Sequence, residues 1–190
     1  QKDGFYRSFN THFNTMIIAH EMLPGHYLQY KIGVSTAPAL RSLFANEIYV
    51  EGWGTFSEEL MLDAGWGGRD KLTRLAHLRK RLENATRAYV SVMVHHEGWG
   101  KQQLIGFATK RGLLAPQFAI NLWNRVMNSP LQITNYFLGF HKFKKLWQQE
   151  KIRLGNKFNT RDFVDGVLRA GPIPIDALDA PSTASLSVIR

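Results

Sequence analysis

The sequence predicts an all-α protein, because apolar residues recur at helical spacing and because proline and glycine separate the helical segments. Segments that alternate apolar and polar residues, as half-buried strands do, are few. The 190 residues are 44% hydrophobic and 12% aromatic, which is sufficient for a packed core. We therefore predict one helical domain over residues 1–179, followed by a loose tail over 180–190.

The helical segments are bounded by capping residues and helix breakers. Pro24 and Gly25 end the first helix, since proline cannot continue the backbone hydrogen-bond ladder. Glycines at 65, 67 and 68 mark a loop, and Thr160 is a cap for the last helix. The predicted helices cover approximately residues 11–23, 35–62, 70–95, 101–110, 116–127, 132–154 and 161–169.

Composition narrows the possible functions. The chain has no cysteine, which excludes disulfides, thiolate metal ligands and a cysteine nucleophile. Its net charge is +9, yet the basic clusters carry no nucleic-acid motif and fit the solvent faces of amphipathic helices, so nucleic acid is not the expected partner. No apolar run approaches the roughly 18 residues of a membrane span. Periplasmic, secreted and cytoplasmic locations all stay open.

Residues 20–26 carry the most informative pattern, His-Glu-Met-Leu-Pro-Gly-His. Zinc peptidases commonly place two histidines one turn apart on a helix, as H-E-x-x-H. His20 and His26 are six residues apart and would point about 240° apart on a regular helix. A break at Pro24 and Gly25 would allow His26 to return beside His20. The alternative is a helix that ends at Pro24 and carries two surface histidines.

Acidic residues supply the other candidates for a metal site. Glu21 follows His20, where the general base of a zinc peptidase stands. Glu47, Glu51 and Glu58 share one helical stripe on a separate predicted helix, where a third ligand is expected. The glycines on both sides of Trp53 indicate close approach to another element or to a ligand. The alternative is a solvated acidic stripe.

Two further side chains are candidates for the substrate side of a cleft. His95 ends the long predicted helix, where an imidazole can donate to a developing oxyanion. The alternative is a histidine that interacts with the helix dipole. The Tyr136 hydroxyl can stabilise a tetrahedral intermediate, although a tyrosine in this apolar setting is more often part of the core.

Taken together, these motifs resemble a known family. The pattern His-Glu-x-x-Pro-Gly-His-x-x-Gln occupies residues 20–29, and Glu-Gly-Trp follows at 51–53. Further matches in order lie at Glu58, His95, 98–99, 130–139, 155–158, 163–168 and 171–178. They resemble the bacterial domain-of-unknown-function family 885, which is regarded as a largely helical, zincin-like metallopeptidase family.

The resemblance implies roles for individual residues. It implies that His20, His26 and Glu51 bind Zn²⁺ and that Glu21 is the general base. Glu58 would be an alternative third ligand or an outer-shell residue. His95 and Tyr136 would face the substrate.

The resemblance also implies that this chain corresponds to the C-terminal part of longer proteins. Their N-terminal half would then be a partner of this segment, in addition to a peptide substrate.

The expected function is therefore zinc-dependent peptide hydrolysis. Four positions depart from the family's pattern: Phe56 replaces a tyrosine, Ser91 an aspartate, Val164 a histidine and Trp147 a nearby arginine. These departures favour an alternative, namely a catalytically degenerate helical binding module that retains a metal site.

Overall fold

The computed structural model describes residues 5, 6 and 8–178, and the regular structure in this range is helical, with no strand. The all-α prediction is confirmed, and the tail predicted for 180–190 lies outside the described residues. Three short 3₁₀ turns join α-helices, and a fourth, Ile175–Ala177, follows the last helix. The α-helices are α1 (Thr11–Glu21), α2 (His26–Thr36), α3 (Ala39–Leu43), α4 (Glu47–Asp63), α5 (Lys71–His95), α6 (Lys101–Lys110), α7 (Pro116–Asn128), α8 (Asn135–Leu154) and α9 (Thr160–Ala170).

The predicted helix over 35–62 is wrong, since the chain there forms the end of α2 and then α3 and α4. A further helix, α2, begins directly at His26, where the sequence predicted no helix. Asn46 causes the later break. Its side chain accepts a hydrogen bond from the Tyr49 backbone N–H at 3.0 Å and caps α4, while its own N–H donates to the Pro172 carbonyl at 2.9 Å.

Helix α4 lies at the centre of the fold. It packs along α8 and also contacts α1, α2 and α5, while α2 packs on α9 and the α6–α7 pair packs on α5. One core surrounds α4, α8 and α9 and is rich in aromatic residues such as Trp53 and Phe143. A second core joins the C-terminal part of α5 to α6 and α7. Among the described residues, no helix is long and apolar enough to cross a membrane.

Two glycines let α4 and α8 approach each other to backbone contact. A Cβ atom added to Gly52 would lie 2.4 Å from the Gly139 Cα, closer than two carbon atoms can pack. Tyr136 precedes Gly139 by about one helical turn, and Glu51 adjoins Gly52. The close crossing therefore brings Tyr136 against Glu51.

Helix α5 buries a polar face. The sequence of this helix is charged at first and apolar later, and Val90 in its C-terminal part is fully buried. Earlier in the helix, however, His77 and Asn84 are buried, whereas Leu75 and Leu78 are more than half exposed. The reason lies on α4, where buried carboxylates face His77 and require polar partners.

We predict that Gly52→Ala destabilises the protein by about 2 kcal/mol or more, because the new methyl group forces α4 away from α8. The free energy of unfolding would be measured by urea titration followed by circular dichroism. Gly106→Ala is the matched control, since a Cβ there meets nothing within 4 Å. We expect that control to stabilise α6 by roughly 0.5–1 kcal/mol. Equal stability of the Gly52→Ala variant and the wild type would contradict the close crossing.

Candidate metal centre

A tight loop places His20 and His26 side by side. His20 lies in the last turn of α1, and His26 is the first residue of α2. A Cβ atom on Gly25 would lie 1.8 Å from the His20 carbonyl oxygen, so only glycine fits between the two helix ends. The two imidazole ring centres are 4.7 Å apart and the rings are nearly perpendicular.

Two hydrogen bonds from helix α4 fix the position of this loop. The Trp53 indole Nε1 donates to the Pro24 carbonyl at 2.8 Å, and the Ser57 hydroxyl donates to the Ala19 carbonyl at 3.0 Å. Between these two contacts, Gly54 faces the imidazoles, and a Cβ there would lie 2.8 Å from His20 Nε2. The absence of a side chain at this position leaves room for both rings.

The Glu51 carboxylate meets both imidazoles. Its Oε2 lies 3.9 Å from His20 Nε2 and 3.5 Å from His26 Nε2. One nitrogen from each histidine and one carboxylate oxygen lie within 4.8 Å of one another. His20 is buried, whereas His26 and Glu51 are partly exposed, so the cluster is open to solvent on one side.

The far nitrogen of each imidazole has an oxygen partner. Glu58 Oε1 lies 2.7 Å from His20 Nδ1, and Gln29 Oε1 lies 3.2 Å from His26 Nδ1. Carboxylate and amide oxygens accept hydrogen bonds, so these contacts favour the tautomer with the proton on Nδ1 in both rings. In that tautomer the Nε2 lone pairs are free on the side of Glu51, as a metal requires.

Tyr136 contacts the third side chain of the cluster, the Glu51 carboxylate. Its hydroxyl donates to Glu51 Oε1 at 3.0 Å, which leaves Oε2 to face the imidazoles. Burial, followed by the charge of Glu51, raises the pKa of Tyr136, so the hydroxyl stays protonated and remains a donor. Tyr136 therefore orients the Glu51 carboxylate in the structure.

The surroundings of Glu51 favour its charged form. Burial alone would raise the pKa of Glu51, but the contacts with His26 and Tyr136 outweigh burial and lower it. Burial alone would lower the pKa of His26, yet Glu51, Gln29 and the nearby charge of Glu21 raise it. A cation is favoured at the point that these groups face, and a proton on His26 would compete with it.

The donor set fits a zinc ion. Structural and catalytic zinc sites use imidazole nitrogens and carboxylate oxygens at about 2.0–2.2 Å, so neighbouring ligand atoms of a tetrahedron lie roughly 3.3 Å apart. The separations of 3.5 and 3.9 Å approach this value. Three such ligands would leave a fourth position for water or substrate, which is the coordination of catalytic zinc sites.

The other predicted site residues are not members of the His20–His26–Glu51 cluster. Glu21 ends α1, is exposed and lies near enough to His26 for its charge to act on that ring. Glu58 contacts the nitrogen of His20 that faces away from Glu51. Glu47 is exposed and accepts a hydrogen bond from the Asn135 side chain at 3.0 Å. The His95 Nε2 lies 3.1 Å from the Val126 carbonyl oxygen on α7, so this ring links α5 to α7.

Sequence reasoning missed two residues at this centre. Gln29 belongs to the first motif, but no role was assigned to it. His77 lies on α5, and its Nδ1 is 3.2 Å from Glu58 Oε2. Its position four residues after Thr73 and seven before Asn84 marks a helical face of buried polar residues. Leu75 and Leu78 lie on the exposed side of the same helix, so the sequence suggests an apolar buried face where the structure has a polar one.

The fold and the site together define an all-helical protein with a His–His–Glu cluster between its first helices. The chain belongs to the family described as "Bacterial protein of unknown function (DUF885)", whose model matches residues 2–181. This bears out the family membership that the motifs indicated. No curated protein matches the chain.

Two solved structures resemble the fold closely. One is described as a "putative lipoprotein of unknown function" from Shewanella oneidensis, with a TM-score of 0.87 and 24% identity over 93% of this chain. The other is a "putative lipoprotein" from Colwellia psychrerythraea, with a TM-score of 0.83 and 30% identity over 88% of this chain. The chain covers only 32% and 29% of these two structures, about a third of each.

We predict that Gly54→Ala abolishes tight zinc binding, because the new methyl group would lie 2.8 Å from His20 Nε2 and 2.9 Å from His26 Cε1. Zinc affinity would be measured by competition with a chromophoric chelator. Gly106→Ala serves again as a control and should bind zinc like the wild type. Wild-type affinity in a folded Gly54→Ala protein would show that the ion does not bind between these rings.

Proposed function

We propose that this chain carries the zinc centre of a hydrolase that cleaves peptide bonds, with His20, His26 and Glu51 as the ligands. One observation carries the proposal: two imidazole Nε2 atoms lie 3.9 and 3.5 Å from one carboxylate oxygen, and the opposite nitrogen of each ring contacts a side-chain oxygen. Outer partners of this kind orient metal-binding histidines in zinc sites. A surface pair of histidines has no need of them.

Glu58 fits the outer position better than the ligand position. It contacts His20 at Nδ1, the nitrogen opposite the cluster, and its other oxygen faces His77. A carboxylate, an imidazole and a metal in this order form a recurrent arrangement that raises the basicity of the ligand. We therefore assign Glu51 as the third ligand.

Peptide hydrolysis is the reaction that the neighbouring groups favour. When bound, zinc would supply Lewis acidity that polarises a carbonyl and lowers the pKa of water. Glu21 would accept the proton of the attacking water on its carboxylate and pass it to the departing amine nitrogen. Tyr136 would hold Glu51. The oxyanion roles expected of Tyr136 and His95 have less support, because both groups already donate or accept elsewhere.

We predict that the purified protein binds one zinc ion per chain, and that His20→Ala and Glu51→Ala each weaken binding by several orders of magnitude. Removal of one of three ligands leaves a site that competes poorly with water. Metal content would be measured by atomic emission after dialysis. Glu47→Ala is the matched control, since Glu47 lies on the same helix but bonds Asn135. Stoichiometric zinc in both ligand variants would refute the assignment.

We predict that Glu21→Gln keeps the zinc and loses peptide hydrolysis by a factor of about 100 or more, because the amide cannot take up the proton. Turnover would be measured with a library of fluorogenic peptides, and metal content in the same samples. Full activity in the variant would remove Glu21 as the base.

The alternative function is a non-catalytic binding module that retains the metal. The departures from the family's pattern motivated it, but these positions lie in or against the core: Ser91 is fully buried, and Val164 packs on the aromatic core. Phe56 and Trp147 pack with Phe163, with ring centres 4.9–6.4 Å apart. Zinc binding without turnover of any peptide by the wild-type protein would favour this alternative.

The relatives also favour an exported protein. Both solved structures are described as lipoproteins, and bacterial lipoproteins act outside the cytoplasm. We infer the same location for the protein that contains this chain. Fractionation of the native cells with an antibody against the chain tests it, and a purely cytoplasmic signal would contradict it.

A further inference from the structure

We propose that His77 is a positioning residue of the metal centre, which acts through the Glu58 carboxylate to hold the His20 imidazole in its metal-binding orientation. The inference rests on the proposed zinc site. It adds a residue from α5, a helix that contributes none of the three ligands, and the sequence motifs do not mark this residue.

The geometry is a buried relay across three helices. Glu58 on α4 is fully buried, with 0% of its surface exposed, and both carboxylate oxygens face imidazoles. Oε1 lies 2.7 Å from His20 Nδ1 on α1, and Oε2 lies 3.2 Å from His77 Nδ1 on α5. His77 is itself 1% exposed, so water does not substitute for either contact from outside.

His77 fixes the direction of the Glu58 carboxylate. A carboxylate held at one oxygen can swing about that contact, whereas one held at both oxygens by separate helices cannot. Since Glu58 Oε1 sets the plane and tilt of the His20 ring, any rotation of the carboxylate moves His20 Nε2 relative to Glu51. Loss of His77 would also leave a buried oxygen without a partner, which favours rearrangement of the whole group.

The other side of the His77 ring faces a second carboxylate. His77 Nε2 has no hydrogen-bond partner and lies 3.8 Å from Glu59 Oε2, too far for a hydrogen bond. Lys144 and Arg81 both form ion pairs with Glu59, and the Arg81 guanidinium lies 4.1 Å from the centre of the Phe140 ring. The imidazole therefore sits between two carboxylates, one fixed to the metal centre and one fixed to α5 and α8.

Packing alone does not account for a histidine at position 77. A residue that only filled this space would be apolar, as the neighbouring core residues of α4 and α8 are. An apolar side chain of similar volume would then serve equally well. Positioning instead requires a donor at the place of Nδ1, and an asparagine amide nitrogen occupies nearly that place.

The test compares His77→Leu and His77→Asn in the full chain, with zinc affinity and the visible absorption spectrum of the Co²⁺ form as readouts. We expect His77→Leu to raise the zinc dissociation constant roughly 10–100-fold, the range for outer-shell partners, and to shift the Co²⁺ bands. His77→Asn should restore both to near wild-type values. The control is Asn84→Ala, a buried polar change two turns along the same helix with no bond to Glu58.

Several outcomes would overturn the inference. Wild-type affinity and spectrum in His77→Leu would show that His20 needs no such support. Equal losses in His77→Leu and Asn84→Ala would assign the effect to general destabilisation. If His77→Leu fails to fold, His77→Asn decides alone: a folded variant with the affinity of a ligand knockout overturns the positioning role. Absence of zinc from the wild-type protein would instead refute the proposed function.

Discussion

A buried carboxylate determines how the N-terminal half of this protein is arranged. Glu58 has no access to solvent, and a charged group in that position is tolerated only with strong hydrogen bonds. His20 and His77 supply them from two other helices. The placement of α1, α4 and α5 is thus coupled, and the orientation of the His20 ring follows from the same contact that neutralises the cost of burial.

Helix α4 shapes the site through two glycines, Gly52 and Gly54, as well as through the side chain of Glu51. Gly52 allows backbone contact with Gly139, and that contact delivers Tyr136 to Glu51. Gly54 leaves space for the two imidazoles. Each glycine lowers helix propensity by about 1 kcal/mol relative to alanine. The aromatic core around Trp53 offsets that loss by burying one complete side of the helix.

The site is assembled from elements far apart in the chain. His20 and Glu58 are 38 residues apart, and Glu51 and Tyr136 are 85 apart. All of them lie within residues 2–181, the range that the family model matches.

The sequence by itself determined the helical class, most helix bounds and the candidates His20, Glu21, His26 and Glu51. These follow from local periodicity, from breakers such as Pro24 and from the chemistry of short motifs. It misjudged the chain between Gly25 and Asn46, where a single cap and a tertiary contact with Pro172 end one helix and begin another. Only the tertiary structure decided that Glu58 lies behind His20, that Glu47 and His95 bond elsewhere, and that His77 is buried. Those facts depend on which helix faces which, and no local pattern encodes the partner of a residue on a distant helix.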